Sequence, residues 1–219
     1  MTFSILARDP ENGTVGVATA TGSIAVGAQV PHCRFGVGAV ATQGHTTSVL
    51  LARRALPLMA KGQAAAEILR GLLADDDGRD FRQIALLDAS GQTAGWSGAS
   101  NGDFKGHREA ENFIVAGNLL PGPEVLTAMS ETYLAKHGDE IALRLLAALK
   151  AGEAAGGDRR GTCSAALLVD SGMGAALDLR IDYDRAPVDA LERLHEHSRD
   201  KVYRDFLKRL PGELDSGRY

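Results

Sequence analysis

Apolar and polar positions along this chain alternate between paired short runs and paired longer runs with helical spacing. Thr2–Arg8 and Thr14–Ala20 are apolar stretches on either side of Asp9-Pro10-Glu11-Asn12-Gly13. The Pro, Asn and Gly between them supply turn geometry, so an antiparallel hairpin is expected, with Thr2 at an outer strand end. A second strand pair is expected at Ser23–Gly27 and Gly36–Thr42. The Gly and Ala content there signals close approach of another backbone or a ligand. From Ser48 the spacing turns helical, with Leu51, Ala55, Leu58 and Met59 on one stripe and Pro57 expected to kink or break the helix. A second helix carries Ile68, Leu69, Leu72 and Leu73 and ends near the acidic run Asp75-Asp76-Asp77-Gly78.

Strand spacing returns at Ile84–Asp88 and Thr93–Ser97, a hairpin around Ala89-Ser90-Gly91-Gln92, and again at Phe113–Gly117. A second helix pair follows. Pro123 stands in a first turn, with Val125, Met129 and Tyr133 on one face, and Ile141, Leu145, Ala148 and Leu149 repeat the spacing. Ser164–Asp170 and Ala175–Ile181 form a further hairpin, and one terminal helix is expected from Pro187 to about Leu210. This order does not match the strict strand–helix alternation of a doubly wound parallel sheet. Ile84-Ala85-Leu86-Leu87 and Ala165-Ala166-Leu167-Leu168-Val169 lack the polar alternation of half-exposed strands, as buried sheets do. The expected fold class is α+β: a four-layer αββα sandwich of two mainly antiparallel sheets flanked by helix pairs. It is expected to form a single domain over 1–219, with 187–219 as a C-terminal helical segment.

Composition narrows the function. A net charge of −4 with scattered Lys and Arg argues against nucleic acid or an anionic membrane as partner. No apolar run approaches the roughly 20 residues needed to span a bilayer, and the start lacks a basic region followed by an apolar one. The expected location is cytoplasmic, the expected partner a small-molecule or peptide amide, and the expected assembly a homo-oligomer, a dimer first. Neither metal nor cofactor is expected. The three adjacent carboxylates read as a solvated loop, and the glycine clusters carry no dinucleotide or phosphate-loop signature. Cys33 and Cys163 are far apart and read as two buried thiols.

Three features call for more than packing. With Met1 removed, Thr2 would carry a hydroxyl and a free α-amine on one residue, a complete nucleophile and base. Asn118 ends an apolar strand just before a helix. Gly156-Gly157-Asp158-Arg159-Arg160-Gly161 sets an acid and two cations in a glycine-bounded loop.

Thr2-Phe3-Ser4-Ile5-Leu6-Ala7-Arg8-Asp9, Gly36-Val37-Gly38-Ala39-Val40-Ala41-Thr42-Gln43, Ala116-Gly117-Asn118 and the 156–161 loop together resemble the family called domain of unknown function 1028, from about residue 2 to residue 200. That family resembles the N-terminal-nucleophile (Ntn) hydrolases, which are αββα sandwiches. The resemblance implies attack of the Thr2 hydroxyl on an amide carbonyl, with the α-amine as base. It implies Asn118, by side chain or by the backbone near Gly117, as oxyanion donor. Asp158 would orient the α-amine or hold Arg159, and Arg159 would bind a substrate carboxylate. Gln43 would add a substrate contact and Ser23 would relay a proton. The proteasome-type lysine beside the nucleophile has no counterpart before Lys61, and a retained Met1 would block the amine. A non-catalytic binding or assembly role is the alternative. A third reading makes Cys33, with His32 or His45, a thiol nucleophile.

Overall fold

The computed structural model describes residues 2–102, 104–212 and 214–217. Met1, whose removal the N-terminal reading requires, lies outside the described residues, as do positions 213, 218 and 219 of the expected C-terminal segment. Among these residues, ten strands form two antiparallel sheets. The six-stranded sheet contains β1 (Thr2–Arg8), β2 (Val15–Thr21), β7 (Phe104–Ala110), β8 (Phe113–Leu120), β9 (Ser164–Asp170) and β10 (Leu177–Ile181), in the order β10-β9-β2-β1-β8-β7. The four-stranded sheet contains β3 (Pro31–Arg34), β4 (Gly38–Gly44), β5 (Arg82–Asp88) and β6 (Thr93–Ser97), in that order.

Helices close both outer faces. α1 (Val49–Met59) and α2 (Ala65–Ala74) bury Leu51, Ile68 and Leu72 against Val40, Ile84 and Leu86 of the smaller sheet. On the larger sheet, Phe3, Ile5, Val115 and Leu167 meet α3 (Glu124–Ala135), α4 (Ile141–Ala154) and α5 (Pro187–Ser198) through Met129, Leu145, Leu149 and Leu191. A third core lies between the sheets and is built from smaller residues, among them Leu6, Val17, Ala39, Ala41, Ala85, Ile114 and Ala166. Both faces of β1 are therefore buried. Its odd-numbered residues Phe3, Ile5 and Ala7 face helices, and Thr2, Ser4 and Leu6 face the opposite sheet. The architecture is the expected αββα sandwich.

Several local expectations are corrected. Ser23–Gly27 is not a strand: Ala25 takes a left-handed conformation (φ 57) and opens a 3₁₀ turn over Val26–Ala28. That turn is held by Ala25 N–H donating to Asp182 O and by Val26 N–H donating to the Ser164 hydroxyl. The strand paired with β4 on that side is instead β3. β7, with the sequence Phe-Lys-Gly-His-Arg-Glu-Ala, carries no apolar run because it is a sheet edge, where charged side chains discourage further pairing. Pro57 does not break α1 at its own position; it sits exposed in the last turn, two residues before the helix ends. The expected terminal helix is two, α5 and α6 (Lys201–Arg209), because Asp200 leaves helical geometry and its carboxylate caps α6 by accepting from Val202 N–H at 2.8 Å.

Leu145 is fully buried where α4 meets the sheet, whereas Leu134 on α3 is 56 % exposed. Leu145→Ala is expected to lower unfolding free energy by about 2–5 kcal/mol, and Leu134→Ala to change it by no more than about 0.5 kcal/mol. Urea denaturation followed by circular dichroism measures both.

Candidate functional site

At the Thr2 end of the two sheets, small apolar side chains between them give way to polar ones. Thr2 faces Thr21 across β2 and Asn118 across β8, and its hydroxyl donates to Thr21 Oγ1 at 3.2 Å. Two residues on, Ser4 Oγ lies 2.7 Å from Thr19 Oγ1 and donates to Gln43 Oε1 of the opposite sheet at 2.6 Å. Gln43 Nε2 donates to Gln83 Oε1 at 2.7 Å and reaches Thr2 O at 3.4 Å. Asn118 Nδ2 donates to the same Gln83 Oε1 at 2.9 Å. Gln83 is thus the hub, fully buried and shared by both sheets.

The backbone sets the polarity of this network. Gln83 Nε2 lies 2.9 Å from Gly106 O and 2.8 Å from Gly117 O, and carbonyls only accept. The amide nitrogen must face them, so Oε1 faces Gln43 and Asn118, which must in turn present nitrogen. Asn118 Oδ1 is left pointing elsewhere, buried and without a hydrogen-bond partner. The open atom on Asn118 is therefore an acceptor, the reverse of an oxyanion donor. Gln83 Nε2 also lies 2.8 Å from Ser97 Oγ, which sits 3.0 Å from His107 Nδ1. Gln83 Nε2 has two protons for three acceptors, Gly106 O, Gly117 O and Ser97 Oγ, so one is shared; His107 Nε2 lies 3.5 Å from Glu109 Oε1. Burial pulls the His107 pKa below its ordinary value of 6.5, and Glu109 opposes that only in part.

A loop cluster caps the same end. Asp158, 4 % exposed, accepts from Gly22 N–H, from Arg160 N–H at 2.8 Å, and from the Arg160 guanidinium at 3.2 and 3.0 Å. Asp158 thus holds Arg160, the neighbour of the Arg159 named from sequence; Arg159 itself is exposed on this loop. Gly22 is obligatory here, since a Cβ would stand 2.6 Å from both Asp158 Oδ2 and Gly161 O. Arg160 Nη2 also reaches Ser23 Oγ at 3.4 Å, and Ser23 O accepts from the Ser164 hydroxyl at 2.6 Å. Gly22 follows Thr21, the residue opposite Thr2, so the carboxylate sits at the N-terminal end of β1.

The fold thus gathers Thr2, Asn118, Gln43 and the carbonyl of Gly117 into one network, and sets Asp158, Arg159 and Ser23 in the adjoining loops. Sequence reasoning missed Gln83, Ser4, Thr19, Thr21 and Arg160. Their available signal was a period-two run of small hydroxyl residues, Thr2 and Ser4 against Thr19 and Thr21, inside otherwise apolar strands. The thiol reading fails. Cys33 Sγ is packed between the sheets, 3.8 Å from Val15 O and 3.9 Å from Leu168 O, and burial drives its pKa far upward, with Asp170 and Asp178 adding to the shift. The His32 ring is engaged by Gln29 O at 3.2 Å. Among the described residues no group of three or more His, Cys, Asp or Glu is placed to hold a metal, and no helix is long and apolar enough to cross a membrane.

Known proteins are similar to this chain. The family of unknown function DUF1028 matches residues 2–191. A crystal structure of a DUF1028 protein from Silicibacter pomeroyi superimposes with a TM-score of 0.93 at 37% identity, over 99% of this chain and 98% of that one. A second likeness is to Anbu (ancestral beta-subunit) from Yersinia bercovieri, with a TM-score of 0.42 at 12% identity over 96% of this chain and 98% of that one. No curated protein matches.

Gln83→Leu strands the donors of Gln43 and Asn118 and the Gly106 and Gly117 carbonyls inside the protein. At about 1–3 kcal/mol for each unsatisfied group, the loss is expected to be at least about 3 kcal/mol in chemical denaturation. The folded state binds the His107 proton less readily than the unfolded chain, so stability is complete above pH 6.5 and declines as pH falls below it. His107→Gln is expected to make the acid limb of a Tm-against-pH profile shallower.

Proposed function

The chain belongs to the DUF1028 family, and we propose that it is an amidohydrolase of the N-terminal-nucleophile type, acting through Thr2 in a chain that begins there. The observation that carries this reading is the buried polar end of β1, where Thr2 pairs across the strands with Asn118, whose Oδ1 has no partner among the described residues. An interior acceptor left open is unfavourable by about 1–3 kcal/mol unless something fills it. A Thr2 α-amine or a substrate N–H would do so.

The chemistry follows from the groups present. The Thr2 hydroxyl attacks the amide carbonyl carbon while the α-amine, with an ordinary pKa of about 7.7–8.0, takes its proton. That proton passes to the leaving nitrogen as the C–N bond breaks, and water then hydrolyses the ester on Thr2. Asn118 Oδ1 receives the amine. Asp158, held by Arg160 and Gly22 N–H, supplies the negative charge that orients the protonated amine. Arg159, on the exposed side of the same loop, meets a carboxylate on the substrate, and Gln43 and Ser23 line the approach. Thr2 is only 7 % exposed, which favours a small amide, a cyclic amide or the end of a peptide.

A second reading has its own support. Thr2, Ser4, Thr19, Thr21, Gln43, Gln83 and Asn118 are all uncharged, so without a free amine none of these side chains is a base for the Thr2 hydroxyl. A chain that keeps Met1 would then be a binding or assembly protein. Intact mass and N-terminal sequencing of untagged native protein are expected to show Thr2 first. Thr2→Ala is expected to abolish hydrolysis across a broad amide panel with an unchanged Tm. Retained Met1, or full activity of Thr2→Ala, would overturn the Thr2 mechanism.

A further inference from the structure

At the opposite end of β1, about 20 Å from Thr2 by the strand rise, lies a cavity of about 430 Å³. Its walls come from the β1–β2 turn, the start of α4, the β9–β10 turn, and α5 with α6. The volume falls within the range of small-ligand sites.

Three features of its lining point to one kind of ligand. Ile141 and Ala142 open α4, a 14-residue helix whose N-cap makes no side-chain hydrogen bond to the first turn. Their amide protons have no intrahelical acceptor and carry the positive end of the helix dipole. Arg199 and Arg204 line the same space, and neither guanidinium has a hydrogen-bond or ion-pair partner among the described residues. Most telling is His195. It is only 2 % exposed and lines the cavity, yet no hydrogen-bond partner of its ring occurs among the described residues; only its carbonyl is engaged, by the Ser198 hydroxyl at 2.7 Å. The ring nitrogens are not among the fully buried unpaired atoms; they open onto the cavity, where a ligand or water can meet them.

The carboxylates present do not cancel this. Asp9 is occupied in its own turn by Glu11 N–H at 2.9 Å and by Asn12 Nδ2 at 2.9 Å. Glu140, the N-cap of α4, also lines the space and its charge acts on His195, but Arg199, Arg204 and Lys208 leave the lining with three cations to two carboxylates. Met173, Leu177 and Leu207 add an apolar wall larger than an inorganic ion needs.

We propose that this cavity is a second ligand site, distinct from Thr2, that takes a small organic carboxylate with an apolar body. The carboxylate sits at the start of α4 between Arg199 and Arg204, with His195 donating to it, and the body lies on Met173, Leu177 and Leu207. Helix N-terminus and guanidinium act together here, as they do for anions generally.

The test is titration of the full chain with phenylacetate, benzyl alcohol and inorganic phosphate, followed by calorimetry and by NMR of the protein. Saturable phenylacetate binding is expected, at least tenfold tighter than benzyl alcohol or phosphate. The same affinity is expected in Thr2→Ala, and a loss of at least tenfold in Arg199→Ala/Arg204→Ala. Both arginines are exposed, so that variant is expected to keep its Tm; His195→Leu, at a buried position, is read only alongside it. Absence of saturable phenylacetate binding, equal affinity in the double variant, or loss of binding in Thr2→Ala would each overturn the proposal. Phosphate binding as tightly as phenylacetate would also overturn it.

Discussion

The Gln83 side-chain amide, caught between two backbone carbonyls, is the contact on which the end of this sandwich depends. Gly106 O and Gly117 O belong to β7 and β8 of one sheet, and Gln83 to β5 of the other. A carbonyl cannot donate, so the orientation of Gln83 follows from backbone geometry alone. From it follow the orientations of Gln43 and Asn118, and from Gln43 that of the Ser4 hydroxyl. Seven uncharged polar side chains are thereby locked in an interior that would otherwise exclude them. A network of this kind is stable only when nearly complete. Here one acceptor is open, Asn118 Oδ1, directly across the strand pair from Thr2.

The middle layer explains why the polar groups collect where they do. Between the sheets, Ala39, Ala41, Ala85, Ala116 and Ala166 allow close approach, and Leu6, Val17 and Ile114 fill the centre. Toward the Thr2 end the same inward positions become Thr, Ser, Gln and Asn. Large apolar residues are kept for the outer faces, where helices cover them. β1, β2 and β8 thus carry an apolar helix-facing side and an inter-sheet side that changes from apolar to polar along its length. Both ends of β1 are consequently distinctive. One holds the hydroxyl network and the Asp158–Arg160 cap; the other supports a cavity bounded by α4, α5 and α6.

The Asp158 loop joins the two kinds of contact. Its carboxylate is neutralised by the Arg160 guanidinium and by backbone donors, which holds an acid beside the start of β1 without leaving a bare interior charge. The glycines on either side of the approach are geometric necessities: Gly157 (φ 44) and Gly161 (φ 85) turn the loop, and Gly22 lets it come close to β2.

Periodicity along the chain was enough for the layers. Helical stripes such as Leu145 with Leu149, and the unbroken apolar runs at 84–87 and 165–169, report which surfaces are buried, and burial is a local property of side-chain type. Asn118 and Asp158 also stood out as polar residues at the end of an apolar strand and in a glycine-bounded loop, whereas Thr2 stood out by its place behind Met1 and Gln43 only through the family resemblance. Lone polar residues in such places are conspicuous even in one dimension. Periodicity was silent on β7, because an edge strand needs no apolar face, and misleading at 23–27, where Ala25 turns left-handed to meet Asp182 O from a distant loop. Gln83 was invisible as a hub for the same reason. Its role consists of bonds to residues 14 to 40 positions away, and nothing in its own neighbourhood encodes them. Which arginine holds Asp158, which way Asn118 points, and that His195 closes a cavity beside α4 are likewise matters of three-dimensional approach, and those approaches exist only once the two sheets have met.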